Sequence, residues 1–231
     1  MKILAIDSCS NVATAALVED DVLIAQFSLN NKTTHSTKLL PQIEYMMKNA
    51  EAQFSDIDLF AVTVGPGSFT GQRIGVSTAK ALAHAVNKPM VGVSALMAMA
   101  YNIKFTDYLV CPIMDARREQ VYTATFKWEN DDLVTIKEDR AISLDDLLNE
   151  FSEDVIFFGD GVPVFKEKIS QKLGNKAHFA PANLMHINGA SVAEAAKTEY
   201  KKGNACNYTS LLPTYLRLSQ AEREYNDRNR K

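Results

Sequence analysis

The run Gly65-Pro66-Gly67-Ser68-Phe69-Thr70-Gly71-Gln72-Arg73-Ile74-Gly75 is the densest chemical signal in the chain. It follows an apolar, strand-like stretch at 59–64 and leads into Ile74–Ala83, which reads as helix. A glycine-rich turn between strand and helix aims free backbone N–H groups outward and admits a close approach, so anion binding is one chemistry open to it. Spacing excludes the two standard phosphate loops. A Walker loop needs Lys and Ser/Thr after its second glycine, whereas Gly71 precedes Gln72 and Arg73. A dinucleotide fingerprint needs glycine at the sixth position from Gly65, where Thr70 stands. A tight turn with a closely packed helix accounts for the same glycines, and both readings stay open.

The titratable residues narrow the field. His35, His84, His178 and His186 form no HxxxH or HExxH pair, so a zinc site built by this chain alone is not expected. His84 has Lys80 and Lys88 four residues to either side, two cations where a metal would need ligands. Cys9, Cys111 and Cys206 are odd in number and lack CxxC spacing, as for thiols kept reduced. No Ser/His/Asp or Cys/His pattern supports an endopeptidase. The net charge of −3 argues against a surface built for phosphate backbones, so any RNA contact would run through a partner. The first apolar run is too short, and too soon followed by Asp7, for a signal peptide or membrane span. A cytoplasmic protein without a membrane partner is expected.

These residues need a scaffold. With 231 residues, 46% of them hydrophobic, the chain is long enough for two small cores. Residues 2–6 read as a strand ending at Asp7, and 13–18 with 22–29 as a hairpin. Residues 36–50 read as a helix, with Leu39, Leu40, Ile43, Met46, Met47 and Ala50 at helical spacing. A strand at 59–64, a helix over about 70–86, a strand at 90–93 and a helix over 94–101 follow, the last capped by Ser94. The order then recurs. Strands at 108–114, 121–127 and 133–138 precede a helix at 143–151, a strand at 154–158 and a helix to about 173. A strand at 177–179 and a helix over 190–202 complete it. Each half reads β-β-β-α-β-α-β-α, its first strand ending in Asp and its fourth in a Gly-x-Gly turn (Gly65/Gly67, Gly159/Gly161). That order describes two tandem ribonuclease-H-like units, an α/β actin-like (ASKHA) architecture. The expected divisions are 1–104, 105–218 and a charged, disordered tail at 219–231.

Four segments carry a family resemblance. Ile3-Leu4-Ala5-Ile6-Asp7-Ser8, the 65–75 run, Asp115-Ala116-Arg117-Arg118-Glu119-Gln120-Val121-Tyr122 and Pro213-Thr214-Tyr215-Leu216-Arg217 each resemble signatures of the TsaB (YeaZ) family. The likeness spans residue 2 to about 217. Gln72 departs from an apolar family position, and His35-Ser36-Thr37-Lys38-Leu39-Leu40-Pro41 lacks the usual acidic residue. The resemblance implies a non-catalytic subunit that binds its paralogue TsaD, the metal-bearing transferase acting on the adenosine next to the anticodon of tRNA. The ATPase TsaE joins the pair at their junction. Without TsaD, the same docking helices would form a homodimer. No cofactor is then required by this chain, metal and ATP belonging to the partners.

The docking surface so implied uses helices 36–50 and 70–86: His35, Leu39, Ile43, Met46, Met47, Gly71, Gln72, Gly75, Thr78, Ala81, Leu82 and Ala85. Small residues favour close helix approach, and methionines suit a surface that repacks. A vestigial nucleotide cleft would comprise Asp7, Ser8, Gly65, Gly67, Asp115, Arg117, Arg118, Gly159 and Gly161. In actin-like ATPases such aspartates orient a metal-bound nucleotide, with glycine close behind; here Asp7-Ser8-Cys9-Ser10 and Asp115-Ala116-Arg117-Arg118 have none. Local hydrogen bonding within the loops accounts for both carboxylates as well. Weak ATP or ADP binding stays open, and with it the alternative of an actin-like enzyme that binds or hydrolyses nucleotide on its own.

Overall fold

The computed structural model describes residues 1–31 and 35–217, so the expected tail at 219–231 lies outside the described residues. The first half runs β1 (Lys2–Asp7), β2 (Val12–Glu19), β3 (Val22–Asn30), α1 (Leu39–Asn49), β4 (Leu59–Gly65), α2 (Phe69–Val86), β5 (Met90–Ser94) and α3 (Ala95–Ala100). The second repeats it as β6 (Leu109–Asp115), β7 (Gln120–Glu129), β8 (Asp132–Ser143), α4 (Leu144–Asn149), β9 (Val155–Phe158), α5 (Val162–Leu173), β10 (Ala177–Phe179) and α6 (Gly189–Lys201). One sheet has the order β3-β2-β1-β4-β5 and the other β10-β9-β6-β7-β8. Read from its far edge, the second is the first with every strand shifted by five. In each, the leading strand pairs antiparallel with the hairpin and parallel with the fourth strand.

Helix boundaries follow local chemistry. Residues 36–50, expected as one helix, divide into a single 3-10 turn at His35–Thr37 and α1 from Leu39. Pro41 sets that start. It has no N–H for a carbonyl four residues back, so it is tolerated only within the first turn. Ser68 caps α2 by accepting the N–H of Gly71, and Ser94 caps α3 by accepting those of Leu96 and Met97.

The layers follow from strand alternation. Leu4 and Ile6 of β1 face a core shared with α1 and α2, while Ile3 and Ala5 face a different one. That second core lies between the two sheets and is filled by α3 and α6, together with Val110, Met114, Ala124, Phe126 and Trp128. A third core packs α4 and α5 on the outer face of the second sheet. The order is therefore helices, sheet, helices, sheet, helices, and α6 rests on the sheet of the first half. Its opening N–H groups are satisfied from there: Gly189 donates to Thr14 Oγ1 at 3.0 Å and Ala190 to Gln26 Oε1 at 2.9 Å. A Cβ at Gly189 would stand 2.5 Å from Ala15 C and Ala16 N. Ser94 Oγ donates to Asp139 Oδ2 across the halves.

The chain then doubles back as a strap. Cys206 exchanges backbone hydrogen bonds with Met90 at 2.9 and 2.8 Å, Leu211 enters the first outer core, and Thr214 N–H donates to Val64 O at 2.7 Å.

Two outcomes are expected. Gly189→Val forces a branched side chain into the first sheet and should cost about 3 kcal/mol in urea unfolding, both halves melting earlier together. Burial raises the Asp139 carboxyl from 3.8 to about 6, with the Ser94 hydrogen bond opposing it. The native state therefore keeps its proton longer than the unfolded chain, and stability falls as pH rises from 3.8 to about 6. Asp139→Asn should be more stable than the parent by roughly 2 kcal/mol above that window and equal to it below. A pH series of melting curves measures this.

Candidate functional site

A cavity of about 750 Å³ opens between the halves, at the carboxyl ends of β1, β4 and β6. From the first half it is lined by Cys9, Ser10 and Asn11 and by the opening of α2, with Phe69, Thr70 and Arg73. Second-half residues include Met114, Asp115, Arg117, Tyr122, Asp160 and Val164, and the strap adds Arg217.

The glycine-rich turn packs closely on the loop after β1. A Cβ at Gly67 would lie 2.2 Å from Cys9 O, at Gly71 2.0 Å from Ser8 O and at Gly75 2.6 Å from Ser8 Oγ. These glycines let the turn and α2 press backbone to backbone on the loop after β1, and Ser68 N–H donates to Cys9 O at 2.7 Å. Gly65, at φ +124°, meets the strap, its missing Cβ 2.5 Å from Thr214 O. Gly159 and Gly161 press on Ile113 O in the same way, and Gly161 N–H donates to it at 3.0 Å. Of the two readings of these glycines, close packing is the one observed. Gly65, Gly159 and Gly161 are absent from the cavity wall, whereas Gly67 and Ser68 line it.

Asp7 and Ser8 are also displaced from the expected cleft. Both are sealed, Asp7 at 0% and Ser8 at 1% exposure. Asp7 Oδ1 accepts from Thr63 Oγ1 and from Cys9 N–H, and burial raises its carboxyl above the ordinary range, those bonds opposing. Cys9 Sγ sits 3.1 Å from Thr63 Oγ1, and burial with the neighbouring Asp7 pushes its thiol well up. A carboxyl enclosed in this way does not hold a metal in the cavity. Asp115 does reach the wall, but Arg117 engages it twice, through N–H at 2.8 Å and Nη1 at 3.1 Å. Arg117, Arg118 and Glu119 are consecutive left-handed residues, and Arg118 is exposed and does not line the cavity. Among the described residues, no group of three or more His, Cys, Asp and Glu side chains is placed to hold a metal ion.

The expected docking residues divide. Leu39, Ile43, Met46 and Met47 are at most 5% exposed and belong to the first outer core. Their helical spacing marks the buried stripe of α1, not a surplus for a partner. Gly71, Gln72 and Gly75 are buried too: the glycines meet Ser8, and Gln72 Nε2 donates to Gly67 O at 3.1 Å. His35, Thr78 and Leu82 are half-buried, and Ala81 and Ala85 exposed. His35 Nε2 contacts Ser10 O at 2.9 Å, tying its turn to the loop after β1.

Sequence reasoning missed Arg73, Arg217 and the Phe69–Tyr215 pair as a unit. The two rings stack at 4.5 Å and 7°, Arg73 Nε donates to Tyr215 Oη at 2.9 Å, and Arg217 Nη1 donates to Ala116 O in the other half. The signals were the 65–75 run, which holds Phe69 and Arg73, and the Pro213–Arg217 motif, and local pattern could not bring the two together.

The comparisons agree with this geometry. Residues 23–225 match the family described as "TsaD: tRNA N6-adenosine threonylcarbamoyltransferase". The tRNA threonylcarbamoyladenosine biosynthesis protein TsaB of Bacillus subtilis is 33% identical over 228 residues, covering 97% of this chain and 98% of that protein. Among solved structures, YeaZ from Pseudomonas aeruginosa superposes with a TM-score of 0.79 at 21% identity, over 93% of this chain and 99% of its own. ROK hexokinase from Thermus thermophilus gives 0.50 at 10% identity, over 87% and 100%, a likeness of fold alone. With two tandem ribonuclease-H-like units of actin-like type and this similarity along nearly its full length, the chain belongs to the TsaB (YeaZ) family of tRNA threonylcarbamoyladenosine biosynthesis proteins.

Proposed function

We propose that this chain is a non-catalytic docking subunit of tRNA threonylcarbamoyladenosine synthesis, one that binds the paralogous transferase TsaD and, at their junction, TsaE. The observation that carries the reading is the outward face of α1 and α2. Both helices send their buried stripes into one core on one side of the first sheet, so their outer faces belong to a common surface. On α1, Leu40 is 39% and Tyr45 67% exposed, and on α2 the small residues Ala81 and Ala85 are exposed. Small side chains permit close helix approach, and an exposed aromatic supplies an anchor of the kind interfaces use. Met46 and Met47 contribute only by holding α1 in place.

The cleft supports the same reading. Asp7, the carboxylate an actin-like phosphotransferase would need, is enclosed, and Asp115 is engaged by its own loop. General acid–base or metal chemistry needs groups that can reach a substrate. In this reading the metal and the ATP are held by the partner subunits, tRNA is met through them, and the same outer face pairs with a second copy when TsaD is lacking.

Combining Tyr45→Glu with Ala81→Glu should abolish the heterodimer with TsaD in size-exclusion chromatography and leave the melting temperature of the isolated chain unchanged. An undiminished heterodimer would sink the assignment of this face. Met46→Glu should behave differently, costing about 3 kcal/mol or more because it buries an unpaired charge in the core. Circular dichroism should show that variant unfolded or strongly destabilised before any partner is added.

A further inference from the structure

One strip of the first half is free of acid. Of the 231 residues 28 are Asp or Glu, yet the 18 residues of α2 and the strap over 203–217 hold none. Carboxylates are most favoured in the first turn of a helix, and α2 has none there either. By contrast, α1 exposes Glu44 as well as Lys48.

The two acid-free segments lie side by side. The strap runs against the direction of α2: Tyr208 lies 4.2 Å from His84 between ring centres, Lys80 Nζ donates to Leu211 O at 3.1 Å, and Tyr215 stacks on Phe69 at 4.5 Å. Residues 69, 80 and 84 share one flank of a helix, so the strap borders α2 for about 22 Å. Leu211 turns into the first outer core, whereas Leu212 is 69% exposed. On α2, Ala81, His84 and Ala85 are exposed. Lys80, His84 and Leu212 do not line the cavity between the halves. Lys80 brings three donors and gives one to a carbonyl, which leaves its charge unneutralised. Among the described residues, Lys88 has an ion pair with Asp58 at 3.7 Å, and Lys80 has none.

We propose that this strip extends the docking face, and that the part of TsaD seated on it is an acidic amphipathic helix. Its carboxylates face Lys80 and the His84 ring, and an apolar side chain of the helix packs on Leu212. The partner is the one proposed above, so the strip rests on that reading; what it adds is the strap and the chemistry of the partner's segment. Charge complementarity decides the occupant. A second copy would set the same cations against each other across a two-fold axis, whereas a helix bearing carboxylates neutralises them. Ala81 and Ala85 leave room for its backbone. Arg73, engaged by Tyr215 Oη, is left outside the strip.

The test is calorimetric titration of the full chain with TsaD over a series of salt concentrations. Leu212→Glu should weaken binding about a hundredfold and Lys80→Gln about tenfold, the melting temperatures of the isolated variants staying at the parent value. Lys80→Gln keeps a donor for Leu211 O, so what it removes is charge, and its affinity should depend less on salt than the parent's. Lys172→Gln, which removes an exposed lysine from α5, should change nothing. Leu212→p-benzoylphenylalanine, activated by light, should cross-link to a TsaD helix with Asp or Glu at spacings of three or four residues. Parent-like binding by both strip variants would overturn the proposal. So would equal weakening by Lys172→Gln, a salt-independent affinity, or a cross-link to a segment without carboxylates. Tyr45→Glu separates the two readings. If it abolishes the complex while the strip variants bind as the parent does, the strip falls and the face on α1 and α2 stands; if none of the three weakens the complex, both fall. Self-association lost in Leu212→Glu, with affinity for TsaD unchanged, would give the strip to a second copy and overturn the acidic helix.

Discussion

The loop Ser8–Ser10 and the opening turns of α2 lie backbone against backbone, and the rest of the molecule's functional surface follows from that approach. Side chains at 67, 71 and 75 would collide with this loop at 2.0–2.6 Å, so glycine is the residue that lets α2 reach it. Asp7, at the start of this loop, is fully buried. The contact also orients α2. Its first turn opens into the inter-half cavity, its buried stripe packs on the sheet, and its small outer residues turn to solvent.

A second constraint joins the halves. The core between the sheets is built from both repeats, with α3 of the first and α6 of the second filling it together. Opening the halves there would expose a continuous apolar interior and strip Thr14 and Gln26 from the N-terminus of α6. At the cavity side, the ties among the described residues include Asn11 to Asp160, and Arg217 of the strap to Ala116. The molecule is therefore secured along one side and lightly latched along the other, an arrangement that suits rigid presentation of an outer helical face. A nucleotide-driven hinge would need the opposite distribution.

Family membership and physical reading meet at the same residues from different directions. Asp7 Oδ1 and Asp115 Oδ1 each accept a backbone N–H from their own loop. Hydrogen bonds of this kind hold a loop in one conformation, although the second oxygen of Asp7, Oδ2, is buried with no donor.

The sequence by itself determined the elements, their order and the duplicated topology. These depend on alternation, helical periodicity, caps and turn residues, all encoded within a few neighbouring positions. The same logic placed Leu39, Ile43, Met46 and Met47 on one stripe of α1, but a stripe has no sign: periodicity cannot say whether it faces a sheet or a partner. Only the tertiary structure decided that, by turning the stripe onto β1, β2 and β4. Likewise the glycines at 65–75 were legible as a close approach, whereas the group approached, Ser8 to Cys9, is set by how β1 and β4 pair in parallel. Arg217 and Ala116 stand 101 residues apart and share a cavity because the strap returns across α2. Such convergence is a property of the assembled sheets, and no local pattern carries it.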